Sequence, residues 1–419
     1  MEFAFACYGS RGDVEPSLAV GSELQRRGHT VRLAVPPDLM GFVESAGVAA
    51  VPYGPVVNDL LNAEFVRNFW TNFLRNPVRS VQQIWAPLIR DWEDTSATLK
   101  SLAKGVDVLS TGINFEQAAA NVAEHYDIPL VALHHFPMRA NGQLIPFLPS
   151  PLVRWGGAAS EWMFWRATRE VEDEQRRELG LPRATAPSPH RFAARGSLEI
   201  QAYDDACVPG LAREWDSTVS RRPFVGALTL ELESEVDEEV RSWIADGSPP
   251  ICFATGSIPV TSPADLVRMI ATVCGQLNER ALVCFGGTDY AAVPDSRNVK
   301  VVGPVNYAKV FPACRAVVHH GGSGTTAASL RAGAPTVILW SSADQPYWGN
   351  QVRRLKVGTS RRFSAISRKS LLADLRRVLT PQYAIRARGL ASRMIPPATS
   401  LHNAADLYEE AARRGCATS

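Results

Sequence analysis

The run His319-His320-Gly321-Gly322-Ser323-Gly324-Thr325-Thr326 follows a short apolar segment and opens a helical pattern. Small residues there let the backbone close on a ligand, and the free amides at a helix start point toward an anion. A diphosphate is the natural occupant. A glycine-rich strand-to-helix turn can equally serve plain packing, but the paired histidines and the Ser and Thr hydroxyls favour phosphate. The chain has no P-loop Gly-Lys-Ser/Thr and no Gly-x-Gly-x-x-Gly after its first strand, so ATPase and dehydrogenase readings lose their main support.

After the next apolar segment comes Ser342-Ala343-Asp344-Gln345-Pro346. A carboxylate beside an amide suits several sugar hydroxyls at once, since one accepts hydrogen bonds and the other both donates and accepts. The same residues also make a good helix cap. Near the amino end, Gly9-Ser10-Arg11-Gly12-Asp13 closes the first apolar strand. Asp13 reads either as a cap of the helix that follows or as a general base, a carboxylate placed to take the proton of an attacking hydroxyl. His134 and His135, at the end of a strand over 130–133, reach the same edge as candidate acceptor-side groups, with ordinary loop or core histidines as the alternative.

The elements that must position these groups alternate regularly. Strands are expected over 3–7, 31–35, 106–109 and 130–133, and again over 251–254, 281–285, 299–302, 316–318 and 336–339. Helical patterns follow them, with Gly28 and Gly47 as stops and segments over 263–277, from Gly324 and from Pro346. Alternating strands and helices imply an α/β fold of parallel sheets wound on both faces, with ligands bound at the carboxyl edges of the strands. We expect two facing Rossmann-like doubly wound sheets with an interdomain cleft. The divisions are 1–220 for a first Rossmann-like domain, 221–239 for an acidic, Pro- and Gly-containing linker, 240–395 for a second Rossmann-like domain, and 396–419 for a last helix packing back across the interface. The stretches 58–100 and 150–180 interrupt the alternation with aromatics (Phe65, Trp70, Trp85, then Trp155, Trp162, Trp165). They read as core of their own helices or, together, as the greasy wall of an apolar acceptor pocket.

The bulk composition agrees with a folded protein of two domains: 419 residues, 46% hydrophobic and 21% charged. With 44 basic and 42 acidic residues the net charge is only +2, so no global field would hold nucleic acid. A local basic patch around Arg353, Arg354, Lys356, Arg361 and Arg362 also reads as a solvated helix face. Seven scattered cysteines with no Cys-x-x-Cys spacing suggest buried thiols in a reducing cytosol and no metal site. No basic leader and no membrane-spanning run is seen. The expected location is cytoplasmic, with room for a peripheral contact at the inner face of the membrane.

Three stretches carry a resemblance that covers essentially the whole chain: GSRGDVEPSLAVGSELQRRGHTVRLAVPPD, ATGSIP, and VGPVNYAKVFPACRAVVHHGGSGTTAASLRAGAPTVILWSSADQPYWGNQV. In these the sequence resembles the GT-B fold glycosyltransferases of family 1, especially the actinobacterial branch acting on glycopeptide antibiotics, sterol-like lipids and mycobacterial glycopeptidolipids. The resemblance implies an inverting, metal-independent hexosyltransferase with no cofactor beyond a UDP- or dTDP-sugar co-substrate. Asp13 would be the base, with Ser10, Arg11 and Gly12 in the adjoining loop. Ser257, His319, Gly321, Gly322, Ser323, Gly324 and Thr325 would hold the diphosphate, Asp344 and Gln345 the donor sugar, and backbone near Val305 the nucleobase. The acceptor would be an apolar small molecule, lipid or lipopeptide, and the protein a monomer or weak dimer. Plant members carry an early base histidine and a tryptophan against the nucleobase. Here those places hold Asp13 and the segment Val302 to Asn306, which leaves the stacking partner open. A nucleotide-sugar epimerase of the same fold and a non-catalytic auxiliary protein are the competing readings.

Overall fold

The computed structural model describes residues 1–57, 86, 89–145, 148–218, 220–230, 234, 236–256, 262–286, 298–341 and 344–418. They form two compact units, one made of Met1–Leu230 with Ile395–Ser419 and the other of Glu231–Met394. Each contains a sheet of six parallel strands with helices on both faces. The division falls inside the stretch expected to be a linker. Phe224 still bridges to Gln201 of the first unit, and Asp237–Ala245 is already a helix of the second.

In the first unit β1 (Glu2–Ala6), β2 (Thr30–Val35), β3 (Ala50–Pro52), β4 (Val108–Thr111), β5 (Leu130–His134) and β6 (Leu198–Gln201) lie in the order β3-β2-β1-β4-β5-β6. Alternation along β1 sorts its residues by size. Phe3, Phe5 and Cys7 enter one core with Leu18 and Leu24 of α1 (Arg11–Arg26) and with Tyr408 of the carboxyl-terminal helix, Pro397–Thr418. Ala4, Ala6 and Tyr8 enter the other, against Ala118, Ala119 and Val122 of α2 (Glu116–Tyr126). The small side chains on that face let α2 lie close to the sheet. The carboxyl-terminal helix is thus built into the first unit: the Tyr408 ring lies 5.1 Å from that of Phe5, and its hydroxyl is 2.6 Å from Ser110 Oγ. A 29-residue helix, α3 (Ser150–Glu178), fills the expected stretch near 150–180.

In the second unit β7 (Ile251–Ala254), β8 (Ala281–Cys284), β9 (Val299–Val302), β10 (Ala316–His319), β11 (Thr336–Trp340) and β12 (Gly358–Arg362) lie in the order β12-β11-β10-β7-β8-β9. Counted from its own first strand, this is the order of the first unit, with the direction of winding reversing between β7 and β10 as it does between β1 and β4. Helices α4 (Pro263–Leu277), α5 (Ser323–Arg331), α6 (Gln345–Arg354), α7 (Arg368–Val378) and α8 (Pro381–Ala391) cover it. The strands absent from the sequence reading, β3, β6 and β12, are all edge strands. LEIQ and GTSRR lack the continuous apolar run that marks a strand buried on both faces, and AVP, though apolar, is three residues long and mostly exposed.

The expected aromatic wall divides. Phe65, Phe69, Trp70, Phe73 and Trp85 lie outside the described residues. Trp92 and Trp165 are buried, the former packed edge-on against Phe115, whereas Trp155 and Trp162 face solvent. Five of the cysteines are buried and free and Cys314 is half-buried and free.

Candidate functional site

At the end of β1 the chain must turn sharply, and Gly9 does so at φ +139°; a methyl group there would lie 2.4 Å from Asp13 Oδ2. The glycine therefore lets Asp13 fold back over the helix start. Asp13 Oδ2 accepts hydrogen bonds from Ser10 N at 2.7 Å and Ser10 Oγ at 2.9 Å, the reciprocal arrangement of a capping box. One carboxylate oxygen is thus structural. The other, Oδ1, stands 3.6 Å from Nε2 of His135, with the aspartate side chain 24% exposed and the histidine 11%. Arg11 turns outward, its Nε donating to Glu15 at 3.1 Å and its guanidinium lying 4.4 Å over the Phe42 ring. Gly12 sits in the first turn of α1 beside Ser10.

His134 and His135 point to opposite faces, as successive residues leaving a strand do. His134 is committed to the interior: its Nε2 is 2.7 Å from Glu116 Oε1 at zero exposure. Glu116 also receives two hydrogen bonds from Arg139, at 2.9 and 3.2 Å, and Arg139 bonds Glu199 on β6, which Arg222 meets at 3.2 Å. Burial pushes the Glu116 and Glu199 carboxyls up, but Arg139 and His134, joined by Arg222 at Glu199, outweigh it and hold both below the usual carboxylate range. This buried cluster anchors the segment after β5 at both ends of the turn that presents His135. Its members were not anticipated as a set, because they are scattered over a hundred residues of sequence.

In the second unit the glycine-rich run lies at the carboxyl ends of β10 and β7, the switch point of that sheet. Gly322 occupies the N-cap position of α5 with no side-chain cap, and among the described residues no side chain accepts from the leading amides of that helix. Gly321 has φ +94°, and a methyl group on it would lie 2.6 Å from Ile338 Cγ2 and 3.4 Å from Gln345 Cβ. The turn is therefore close-packed against the segment carrying Asp344 and Gln345, which brings those two motifs together. Ser323, Gly324 and Thr325 form the first turn of α5, half-exposed, with open space beside Gly324.

His319 is buried, and both its nitrogens are used inside the protein. Nδ1 accepts the Gly321 N–H at 3.0 Å, and Nε2 lies 3.3 Å from Ser329 Oγ. It braces the turn. His320, to which the sequence reading attached no role of its own, packs its ring between Gly256 at the end of β7 and Gly322; a methyl group on either would lie within 2.4 or 2.5 Å of it. Its Nδ1 is buried with no hydrogen-bond partner among the described residues. Burial holds His319 well below the usual imidazole range and pushes His320 down to about 4. Both rings are neutral at pH 7, so the positive potential at this turn is that of peptide dipoles.

Asp344 occupies the N-cap position of α6, yet its carboxylate does not cap: Oδ2 accepts Trp348 Nε1–H at 3.1 Å. Gln345 Oε1 accepts Ser341 N–H at 2.8 Å. Val305 is half-buried against the core beneath β9, and the backbone on either side of it is pinned, Pro304 O by Ser234 Oγ and Asn306 N by Asp237 Oδ1, each at 2.8 Å. Ser257 lies outside the described residues. Among the described residues no group of three or more His, Cys, Asp or Glu is arranged to hold a metal ion, and no helix is long and apolar enough to cross a membrane.

Two family models match the chain, the glycosyltransferase family 28 N-terminal domain over residues 3–141 and the erythromycin biosynthesis protein CIII-like C-terminal domain over residues 269–401. An uncharacterized glycosyltransferase of Mycobacterium tuberculosis is 55% identical over 417 residues, covering 99% of this chain and 100% of that one. A sterol 3-beta-glucosyltransferase of Arabidopsis thaliana is 28% identical over 93% of this chain and 65% of its own length. Among solved structures, the calicheamicin glycosyltransferase CalG4 superposes with a TM-score of 0.71 at 20% identity, over 99% of this chain and 98% of that one. The spinosyn rhamnosyltransferase SpnG, complexed with thymidine diphosphate, gives a TM-score of 0.65 at 17% identity, over 96% of this chain and 99% of that one. With a whole-length relative at this identity and two sheets of the same winding, the chain belongs to the GT-B glycosyltransferases, enzymes of the EC 2.4 class that use nucleotide sugars.

Proposed function

We propose that the protein moves a hexose or deoxyhexose from a UDP- or dTDP-linked donor to a hydroxyl of an apolar acceptor such as a sterol-like lipid or glycopeptidolipid, inverting the anomeric carbon without a metal ion. The observation that carries this reading is the uncapped start of α5 behind Gly321, a set of amides at a sheet switch point that no side chain among the described residues satisfies. Amides of the 322–325 turn take the diphosphate, braced by His319, with His320 Nδ1 and Ser257 as side-chain contributors. Asp344 and Gln345 take the sugar hydroxyls, exchanging their local hydrogen bonds for substrate ones. Backbone near Val305 takes the pyrimidine edge.

In the first unit, Asp13 Oδ1 is the base. The acceptor O–H gives its proton to Oδ1 as its oxygen bonds to the anomeric carbon, and the bond from that carbon to the diphosphate breaks with its electron pair going to the phosphate oxygen. Fixed amide dipoles stabilise the charge that develops there, the task a metal ion performs elsewhere. A single displacement from the face opposite the leaving group inverts the centre. Support for the nucleotide and the acceptor class comes from relatives: SpnG is complexed with thymidine diphosphate, and the Arabidopsis proteins are sterol glucosyltransferases.

The test is calorimetric titration of UDP and dTDP with EDTA present, followed by mass-spectrometric screening of nucleotide sugars against lipid extracts. Binding, acceptor-dependent product and an inverted anomeric proton in its NMR spectrum support the proposal. Turnover without acceptor would reassign the protein to epimerisation, and absence of nucleotide binding to an auxiliary role.

A further inference from the structure

A neutral imidazole carries its one proton on either nitrogen, and the groups around His319 leave it a single choice. Facing Nδ1 at 3.0 Å is the Gly321 N–H, which can only donate, so Nδ1 must be bare. The proton is therefore on Nε2, which faces Ser329 Oγ at 3.3 Å. Ser329 has one proton of its own, and it goes to the Thr326 carbonyl at 2.9 Å, one turn back along α5. What the serine offers His319 is thus a lone pair. Thr336 Oγ1, at the start of β11, stands 3.3 Å from Ser329 Oγ and 3.1 Å from the Ala334 carbonyl, and donates in either direction without claiming the serine's proton.

Ser329 and Thr336 are fully buried and His319 nearly so, so bulk water does not stand in for a missing partner. The opposite tautomer would set an Nδ1–H against the Gly321 N–H and would draw the Ser329 proton away from the Thr326 carbonyl. Two hydrogen bonds would be lost where an unpaired polar group costs most. A serine at this position is otherwise unfavourable. Its neighbours in α5 are Ala327, Ala328 and Leu330, all better helix formers, and a buried hydroxyl is costly unless it is bonded.

We propose that Ser329 is a positioning residue for the nucleotide-sugar donor: it fixes His319 as the Nε2–H tautomer, whose bare Nδ1 holds the Gly321 amide and with it the turn that opens α5. His319 then gives the donor no proton from Nδ1, and it acts through the backbone alone. The Gly321 N–H is spent inside the protein, and the amides that follow it are the ones left for a ligand. The donor role rests on the reading of this turn as the diphosphate site, whereas the tautomer does not.

The experiment joins long-range proton–nitrogen correlation spectra of the full chain, carrying isotope-labelled histidine, to calorimetric titration with UDP and dTDP. His319→Gln assigns the His319 signals by their loss. The nucleotide-free parent should show a protonated Nε2 and a bare Nδ1. Ser329→Ala should let the second tautomer appear and raise the Kd about tenfold, on the order expected for one buried hydrogen bond. Thr336→Val is the control for a merely structural role. It removes a hydroxyl from the same buried network and should lower the melting temperature, yet it leaves the Ser329 bond to Thr326 in place, so the tautomer should stay and the Kd should remain within about twofold of the parent. A protonated Nδ1 in the parent, an unchanged tautomer or an unchanged Kd in Ser329→Ala, or an equal loss of affinity in Thr336→Val would overturn the proposal. A parent that binds neither nucleotide would overturn the diphosphate reading and the donor role of Ser329 with it, an outcome told apart from the others because the tautomer is read without nucleotide.

Discussion

Asp13 divides its two oxygens: Oδ2 is tied to Ser10 as a helix cap, and Oδ1 stands 3.6 Å from His135 Nε2. The cap holds the carboxylate in place, and the second oxygen faces the imidazole. The cap thus uses one oxygen only, which leaves Oδ1 available for the base role proposed above.

Asp13→Asn keeps the size of the side chain and removes the base. It should lower kcat by at least about 100-fold while leaving the Kd for UDP or dTDP within twofold, the range typical for loss of a general base being roughly 10²–10⁴. His135→Gln should lower kcat by about tenfold. Steady-state kinetics with the acceptor found by screening, set beside calorimetry of nucleotide binding, separates the two effects. Unchanged turnover in Asp13→Asn would remove it from the mechanism.

Gly321→Val should abolish nucleotide diphosphate binding, since a side chain there meets Ile338 and a positive φ at once. His319→Ala acts more gently: it strands the Gly321 N–H and Ser329 and should cost about 1–3 kcal/mol of stability along with weaker binding. An unaltered nucleotide affinity in both variants, measured by titration calorimetry, would count against the phosphate assignment.

Removing the cation between two buried carboxylates should be severe. Arg139→Met leaves Glu116 with His134 alone and Glu199 with Arg222 alone, and should cost about 3–5 kcal/mol by urea unfolding. A loss under 1 kcal/mol would mean that water reaches the cluster.

The same two carboxyls set an acid limit. Their folded-state values lie below the usual one, so the unfolded chain binds their protons first as pH falls. Their stabilisation is complete above about pH 4.3, the ordinary glutamate value, and is lost as pH drops through the lower folded values. Melting temperature against pH should fall below about pH 4, and less steeply in Glu199→Gln, whose side chain does not titrate. Parallel curves for the two proteins would show that other groups control acid unfolding.

Much of the fold was legible before any coordinate. The central strands β1, β7, β10 and β11 are unbroken apolar runs because both faces of a parallel sheet are covered, and glycines at their ends mark the turns. The edge strands β3, β6 and β12 were not, because an edge needs no such run. Of the candidate site, the Gly321 turn and the Asp13 loop were readable as local motifs, since what makes them useful is backbone shape over a few residues. The division of labour between neighbours was not. His134 and His135, like His319 and His320, are indistinguishable as letters, and only their directions from a strand end pair His134 with Glu116 and set His135 beside Asp13, or bond His319 to Ser329 and set His320 between Gly256 and Gly322.

By itself, then, the order of residues determined the alternating elements and the glycine-bearing turns, which depend on interactions between near neighbours, and through that alternation the parallel-sheet class. Tertiary structure alone decided that Asp13 meets His135, that Arg139 joins Glu116 of α2 to Glu199 of β6, that the last helix is held by Ser110 and Phe5, and that the tryptophans of α3 part between core and surface. Each of these pairs groups distant along the chain, and such pairing is set by how helices and sheets pack, which no local pattern records.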